Sequence, residues 1–242
     1  MEATNGHLVA GSQFWWLYEP YKQITTNSAL GAITTQKVSS DRLFRPIVTM
    51  LSQHILNRLG RIPSDATEPS QYYAVYNKIL SGAFDIFNSN YIVEPMYAPE
   101  VENPLNPHTD VPAIDFVVTH DFAMTDQPIF FVAIKPGNVH SEPDRLAADA
   151  QMRHIFRALR DNTPIPVLHG ISVMNQKFTY YSMTKATNDI VPKNIETSRD
   201  HTTNTIPVDR WLDCGLDITT EEGYQQFMTI VDNVKRMVAA AL

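Results

Sequence analysis

An acid and a lysine stand out in this sequence because they lie in two short apolar runs, where charge is costly. Asp115 interrupts the first run, residues 114–118, and Lys135 directly follows the second, residues 129–134. Short runs rich in Val, Ile and Phe and bounded by turn residues are typical of strands buried on both faces. A carboxylate or an ammonium group in such a place needs a partner or a function. If the two strands form a hairpin, both groups can point into one cleft.

The pair of Asp115 and Lys135 suits metal-assisted hydrolysis of a phosphodiester. Carboxylates gathered in a cleft bind Mg²⁺, which prefers oxygen ligands and keeps several waters. The metal stabilises charge on the phosphate and activates a water, while the lysine supports the attacking water or the phosphate oxygens. The usual minimum for this chemistry is two carboxylates and one lysine, so a second acid has to be found.

The spacing of apolar residues predicts the elements that would position this pair. Helices are predicted at residues 41–59, 71–87, 142–160 and from 219 to the C-terminus. Strands are predicted at residues 91–97, 114–118, 129–134, 167–173 and 177–183. The last helix would begin at a capping box of Thr219 and Glu222, and residues 186–209, which lack periodicity, would form a surface excursion. This order predicts an α/β or α+β class, with a mixed central sheet flanked by helices.

The layout and the strand residues resemble the PD-(D/E)XK nuclease superfamily. The core of that family is αβββαβ, and the predicted order matches it over residues 41–173. Ala133, Ile134 and Lys135 stand where the family has its (D/E)XK motif. The later QMRHIFRAL and TTEEG segments also resemble uncharacterised fungal proteins related to the superfamily. The resemblance covers most of residues 40–240 and implies a metal-dependent nuclease fold.

Carried over residue by residue, the resemblance gives Asp115 the role of a metal ligand and Lys135 the role of the catalytic lysine. Two departures from the family pattern matter. The proline that directly precedes the first acid is absent, since Pro112 lies three residues before Asp115. The second acid is replaced by Ala133, which cannot bind a metal. The family cofactor, Mg²⁺ or Mn²⁺, is therefore implied only if the protein is active, and hydrolysis is expected to be weak or lost.

Some family members supply the second acid from the helix that follows the lysine. The candidates here are Glu142, Asp144 and Asp149. Asp149 and Gln151 are the most interesting, because the helix should pack along the sheet near Lys135, and Gln151 would match a glutamine that some members use near the site. A simpler explanation is that acids near the start of a helix interact favourably with its dipole.

These residues leave two hypotheses on one fold. In the first, the protein is a divergent nuclease in which Asp115 and either Asp149 or Glu142 hold the metal, while Lys135 assists the attack of water. In the second, it is a non-catalytic binding or structural protein, and Asp115 and Lys135 form a buried ion pair. Removing one partner of such a pair would cost about 3 to 5 kcal/mol. A chance match in an unrelated α/β protein is the third alternative.

Composition limits the partners and the compartment. The 242 residues contain 19 basic and 26 acidic side chains, for a net charge of −7. This charge disfavours nucleic acid as a partner, although a local basic groove would still allow it. The single cysteine, Cys214, favours a reducing compartment. No N-terminal signal and no apolar run of about 20 residues is evident, which predicts an intracellular protein, cytoplasmic or nuclear, with no membrane partner.

The first 38 residues are predicted to be an extension that packs aromatic side chains on a single domain at residues 39–242. Their aromatic cluster begins at Phe14 and includes Trp15 and Trp16. The alternative is a surface that stacks bases or binds a partner. Either this extension or the final helix would allow a homodimer or another protein partner.

The histidines are weaker candidates for chemistry. His120, His140, His154 and His169 show no spacing typical of metal ligands. We expect them to be surface residues or hydrogen-bonded residues of the core.

Overall fold

The computed structural model describes residues 50–99, 113–137, 139–193 and 216–242, which all fall within one compact unit. The predicted N-terminal extension at residues 1–38 lies outside the described residues. So do Cys214 and the first nine residues of the first predicted helix.

The described part of the chain contains four helices, at the places where helical spacing predicts them. They are α1 Gln53–Leu59, α2 Ser70–Phe84, α3 Glu142–Leu159 and α4 Glu221–Ala241. Helix α1 begins later than predicted, because residues 50–52 are not helical. Helix α2 ends three residues early, because Asp85 adopts a left-handed conformation with φ of 53°.

The capping box predicted for the last helix is wrong by one residue. Thr220 is the N-cap of α4, and its hydroxyl accepts a hydrogen bond from the backbone N–H of Gly223 at 3.0 Å. The hydroxyl of Thr219 instead donates to the carboxylate of Asp217 at 2.6 Å. A side chain at position 223 would collide with the backbone oxygen of Asp217, which would lie 1.9 Å from its Cβ. The helix therefore begins where the backbone of Asp217 packs against a glycine.

In the described residues six strands form one sheet, and their order in the sheet is their order in the sequence. They are β1 Tyr91–Tyr97, β2 Ile114–Phe122, β3 Thr125–Ile134, β4 Val167–Met174, β5 Lys177–Thr184 and β6 Asp189–Val191. Strands β3 and β4 are parallel, and every other neighbouring pair is antiparallel. The predicted α+β class with a mixed sheet is confirmed. Strand β6 lies in the stretch predicted to be a surface excursion, and its three residues are too few to show periodicity.

Helices cover both faces of the sheet, and side chains of β3 alternate between the two layers. Phe130, Val132 and Ile134 join a core cluster with α1, α2 and α4, which we call the α2/α4 face. Phe131 and Ala133 join a second cluster with the apolar side of α3, which we call the α3 face. Burial on both sides explains why this strand is nearly continuous in apolar residues. Within the described residues, no helix has the length and apolar character that a membrane span requires.

Candidate functional site

Asp115 is buried near the start of β2, and both of its carboxylate oxygens already have protein donors. The hydroxyl of Tyr73 donates to Oδ1 at 2.7 Å, and the backbone N–H of Ile134 donates to Oδ2 at 2.7 Å. Tyr73 comes from α2, where its ring packs edge-on against Phe116 with 5.4 Å between the centroids. The carboxylate thus links β2, β3 and α2.

The surroundings of Asp115 disfavour its charged form. Burial raises the pKa of this carboxyl group above its ordinary value, and the hydrogen bonds from Tyr73 and Ile134 lower that pKa only in part. Burial and the nearby carboxylate also raise the pKa of the Tyr73 hydroxyl, so the phenol keeps its proton and remains a donor. Since a carboxyl group must lose its proton to bind a metal, this environment opposes the role of metal ligand.

The prediction of a buried ion pair between Asp115 and Lys135 is wrong. Among the described residues, no ion pair or hydrogen bond involves the Lys135 ammonium group. Lys135 lies just beyond β3, where its backbone N–H donates to the carbonyl of Val173 at 2.8 Å and its side chain is partly exposed. Asp115 instead takes its side-chain hydrogen bonds from Tyr73 and from the backbone of Ile134.

Ala133 faces a different layer from the donor that holds Asp115. Its side chain is only 1% exposed and packs on the α3 face with Phe131 and Phe156. Tyr73 packs on the α2/α4 face. An acid at position 133 would therefore enter the apolar contact between α3 and the sheet, where an unpaired charge is costly.

Asp149 is buried in a polar cluster of its own, which we call the Asp149 cluster and which comprises Asp149, Arg153, Tyr181 and Pro192. Arg153 binds both carboxylate oxygens, with Nε at 2.7 Å and Nη2 at 3.2 Å. The Tyr181 hydroxyl donates to Oδ1 at 2.9 Å. Arg153 Nη2 also donates to the carbonyl of Pro192 at 2.8 Å, just after β6. This cluster ties α3 to the far edge of the sheet.

Asp115 and Asp149 are held by donors from different elements. The donors of Asp115 come from α2 and β3, whereas Arg153 on α3 and Tyr181 on β5 bind Asp149. Each carboxylate is therefore satisfied by its own neighbours.

The remaining predicted site residues lie on helix α3. Glu142 is the first residue of α3 and, with Asp144, provides acids in its first turn, where the helix dipole favours them. Gln151 is partly exposed, and its side chain forms no hydrogen bond to another described residue. In the described ranges, no three His, Cys, Asp or Glu side chains could hold a metal ion together. The residues that are described do not fit the Mg²⁺ or Mn²⁺ site that the family resemblance implies.

Two partners of these acids were missed by the sequence analysis. Tyr73 lies one position away from the apolar stripe of its helix, so periodicity gave no reason to single it out. Arg153 follows Asp149 by four residues, the spacing at which opposite charges meet on a helix. That spacing was visible in the sequence and favoured an ion pair over a metal ligand.

Two of the histidines are core residues: His169 is hydrogen-bonded, as expected, whereas Nδ1 of the buried His120 has no hydrogen-bond partner among the described residues. His120 lies between the rings of Tyr91 and Phe122, with centroid distances of 4.8 and 5.0 Å. His169 on β4 is buried, with Nδ1 hydrogen-bonded to the Tyr180 hydroxyl and Nε2 3.4 Å from the amide nitrogen of Asn233 on α4. Burial lowers the pKa of His169 to about 4.

Comparison of the chain with protein-family models, curated proteins and solved structures gives no match. The relation to the PD-(D/E)XK superfamily therefore rests on the element order and on Asp115 and Lys135 alone, and it stays a prediction.

Proposed function

We propose that this chain is a non-catalytic binding protein built on a nuclease-like α/β fold. The observation that carries the proposal is that both acids offered for catalysis already have protein partners. Asp115 accepts hydrogen bonds on both oxygens, and Asp149 is paired with Arg153 on helix α3. Ala133 also supports the proposal, because it stands where the nuclease family has an acid, two residues before its lysine.

Metal-assisted hydrolysis of a phosphodiester needs more than the residues that remain. The metal has to be fixed by several oxygen ligands before it can polarise the phosphate or activate a water. Asp115 alone, with a raised pKa, would be a single and unfavourable ligand. Lys135 could still contact an anion, but a lysine without the metal does not supply the attacking hydroxide.

A protein partner fits the surface of the molecule better than a nucleic acid. The net charge of −7 opposes binding to a polyanion. Large apolar side chains are exposed around the edge strand β1: Phe87 precedes it, Ile92 lies on it, and Met124 at the β2–β3 turn is 96% exposed. Exposed apolar groups that lie near one another favour contact with another protein. The single cysteine supports an intracellular setting for that contact.

A cleavage assay with Mg²⁺ or Mn²⁺ on single- and double-stranded DNA and RNA tests the proposal. The variants are Asp115→Asn, Ala133→Glu, and Ala133→Glu combined with Lys135→Ala. Asp126→Asn is the matched control, because Asp126 is an exposed acid at the start of β3. We expect no cleavage by any of these proteins. Metal-dependent cleavage by the natural protein that is abolished in Asp115→Asn but kept in Asp126→Asn would overturn the proposal.

The glutamate variant needs a fold control, since position 133 is buried on the α3 face. Circular dichroism and urea unfolding establish whether Ala133→Glu is folded. A folded Ala133→Glu that cleaves in a Lys135-dependent way would show that the protein keeps a nuclease site that lacks only this acid. If the glutamate variant does not fold, comparison of the natural protein with Asp115→Asn still decides whether cleavage depends on Asp115.

A further inference from the structure

A cavity of about 340 Å³ lies beyond the carboxyl ends of the parallel strands β3 and β4. Asp115, Lys135 and Asp149 do not line it. Crevices at the carboxyl ends of parallel strands are frequent ligand sites in α/β proteins. An apolar wall includes Leu59, Ile62 and Met174, and a polar rim includes Asn175, Gln176 and Lys177.

Asn175 links three segments of the chain at the rim of this cavity. It occupies the turn between β4 and β5 in a left-handed conformation with φ of 57°. Its Oδ1 accepts a hydrogen bond from the hydroxyl of Tyr72 at 2.9 Å, and its Nδ2 donates to the carbonyl of Gly137 at 3.1 Å. The rim is therefore held in place by α2 and by the segment after β3, independently of any ligand.

Two donors on the rim have unused hydrogen-bonding capacity. The Lys177 ammonium group forms an ion pair with Asp217, but its nitrogen lies 4.0 Å from Oδ2, which is too long for a hydrogen bond. Asp217 has other donors, because the backbone N–H and the hydroxyl of Thr219 bind its Oδ1 at 2.9 and 2.6 Å. The side-chain amide of Gln176 forms no hydrogen bond to another described residue.

A buried hydroxyl next to the cavity also lacks a partner. Tyr76 is 1% exposed, and in the described part of the chain its hydroxyl has no hydrogen-bond partner. Tyr76 lies one helical turn after Tyr72 on the buried side of α2, and Tyr72 lines the cavity. Burial raises the pKa of the Tyr76 hydroxyl, and Tyr72 and Asp217 raise it further. Buried polar groups normally have a partner in the protein, in water or in a ligand.

We propose that this cavity binds a small monocarboxylic acid with an apolar body. The ligand carboxylate receives hydrogen bonds from the Lys177 ammonium group and the Gln176 amide, while the apolar body packs on the wall that contains Leu59 and Met174. The volume lies in the range of known small-molecule sites. This inference goes beyond the proposed function and does not rest on it. The residues varied in the cleavage assay do not line the cavity, so the two proposals can fail separately.

Titration of the ¹⁵N-labelled protein by NMR tests the proposal with hexanoate and benzoate as probes. Hexanol and benzyl alcohol are the matched neutral probes, since they keep the apolar body and lack the charge. We expect saturable shifts of the backbone amides of Asn175, Gln176 and Lys177 and of the side-chain amide of Gln176 with the acids. A charge-assisted hydrogen bond to the carboxylate should make the alcohols bind about tenfold more weakly or worse.

Two variants locate the charge that binds the acid. Lys177→Gln should weaken hexanoate about tenfold and leave hexanol unchanged. Lys78→Gln is the control, because Lys78 lies exposed on α2 and does not line the cavity. Unaltered spectra away from the substitutions show that both variants are folded.

Three results would overturn the proposal. The first is the absence of saturable shifts at residues 175–177 with either acid. The second is equal affinity for the acid and its alcohol, since the site would then recognise only the apolar body. The third is a Lys177→Gln variant that binds hexanoate as the natural protein does.

Discussion

Asp115 on β2 and Asp149 on α3 are both buried carboxyl groups, and the protein satisfies them in opposite ways. Asp115 receives two neutral donors, a phenol and a backbone N–H, and its pKa is raised by burial. Asp149 is held by the guanidinium group of Arg153 and by the Tyr181 hydroxyl. One carboxylate thus has no cation beside it, and the other has a fixed cation.

This difference shows that a buried acid in a strand or helix does not by itself mark a catalytic site. Burial requires a carboxylate to find donors, and the protein can provide them from several layers. Around Asp115 the donors come from α2 and β3, whereas around Asp149 they come from one turn of the same helix and from β5. The energetic consequences of removing each acid should differ accordingly.

The largest effect is expected for Asp149→Ala. Removing this carboxylate leaves the buried Arg153 guanidinium group without its anion, so the free energy of unfolding should fall by about 3 to 5 kcal/mol. Urea unfolding followed by circular dichroism measures the change. The matched control is Asp161→Ala, which removes an exposed ion pair with Arg160 and should shift the unfolding midpoint very little. Equal effects in the two variants would show that the Asp149 cluster is not a structural ion pair.

Below neutral pH, His169 should dominate the pH dependence of the free energy of unfolding. Its contribution has to be measured separately from that of Asp115. The folded protein holds the pKa of His169 near 4, below the value of about 6.5 in the unfolded chain. The unfolded state therefore binds the proton first, and stability should fall as the pH drops from about 6.5 to 4, by up to about 3 kcal/mol.

Substituting His169 by Gln checks this assignment, because glutamine does not titrate. The slope of unfolding free energy against pH should flatten between pH 6.5 and 4 in His169→Gln, whatever the change in absolute stability. A slope equal to that of the natural protein would mean that another group titrates in this window. The His169→Gln background then allows the contribution of Asp115 to be measured.

A smaller effect is expected at Asp115 itself. Tyr73→Phe removes one hydrogen bond and Asp115→Asn turns one acceptor into a donor, so each should cost about 1 to 2 kcal/mol at neutral pH. A carboxyl group with a raised pKa favours folding at low pH, and this contribution is lost as the pH rises through the folded pKa. Asp115→Asn should therefore be less destabilising at neutral pH than at acid pH. The opposite pH trend would show that the folded protein prefers the charged carboxylate.

The smallest effect is expected for Lys135→Ala. Since no described residue pairs with its ammonium group, the free energy of unfolding should change by less than about 0.5 kcal/mol. Urea unfolding beside Asp149→Ala gives the contrast directly. A loss of several kcal/mol would restore the buried ion pair that the structure excludes.

Much of the fold could be predicted from the sequence, because local patterns decide it. Apolar runs locate β2 and β3 within a few residues, and helical spacing finds α2 and α3. Strand β6 could not be predicted from the sequence. Its three residues are held by backbone pairing with β5 and by a neighbouring contact from α3, and neither produces a pattern in the local sequence. The N-cap of α4 was misplaced because Asp217 competes for the hydroxyl of Thr219.

The candidate site could be predicted only in part. The sequence locates Asp115 and Lys135 at adjacent strand ends, but it does not say which side chain of another layer reaches them. Tyr73 became the partner of Asp115 through the packing of α2 on the sheet, which periodicity cannot resolve. The pair of Asp149 and Arg153 was readable from spacing alone, and it argues against the metal role given to Asp149.

A double-mutant cycle at the two acids, measured by urea unfolding in excess Mg²⁺ and again in EDTA, tests most directly whether they share a metal ion. The four proteins are the natural chain, Asp115→Asn, Asp149→Asn and the double variant. Because the two acids have separate partners, we predict that their effects add within about 0.5 kcal/mol and that Mg²⁺ changes none of the four stabilities. Stabilisation of the natural protein by Mg²⁺ that disappears in either single variant would contradict the account and place both carboxylates on one metal ion.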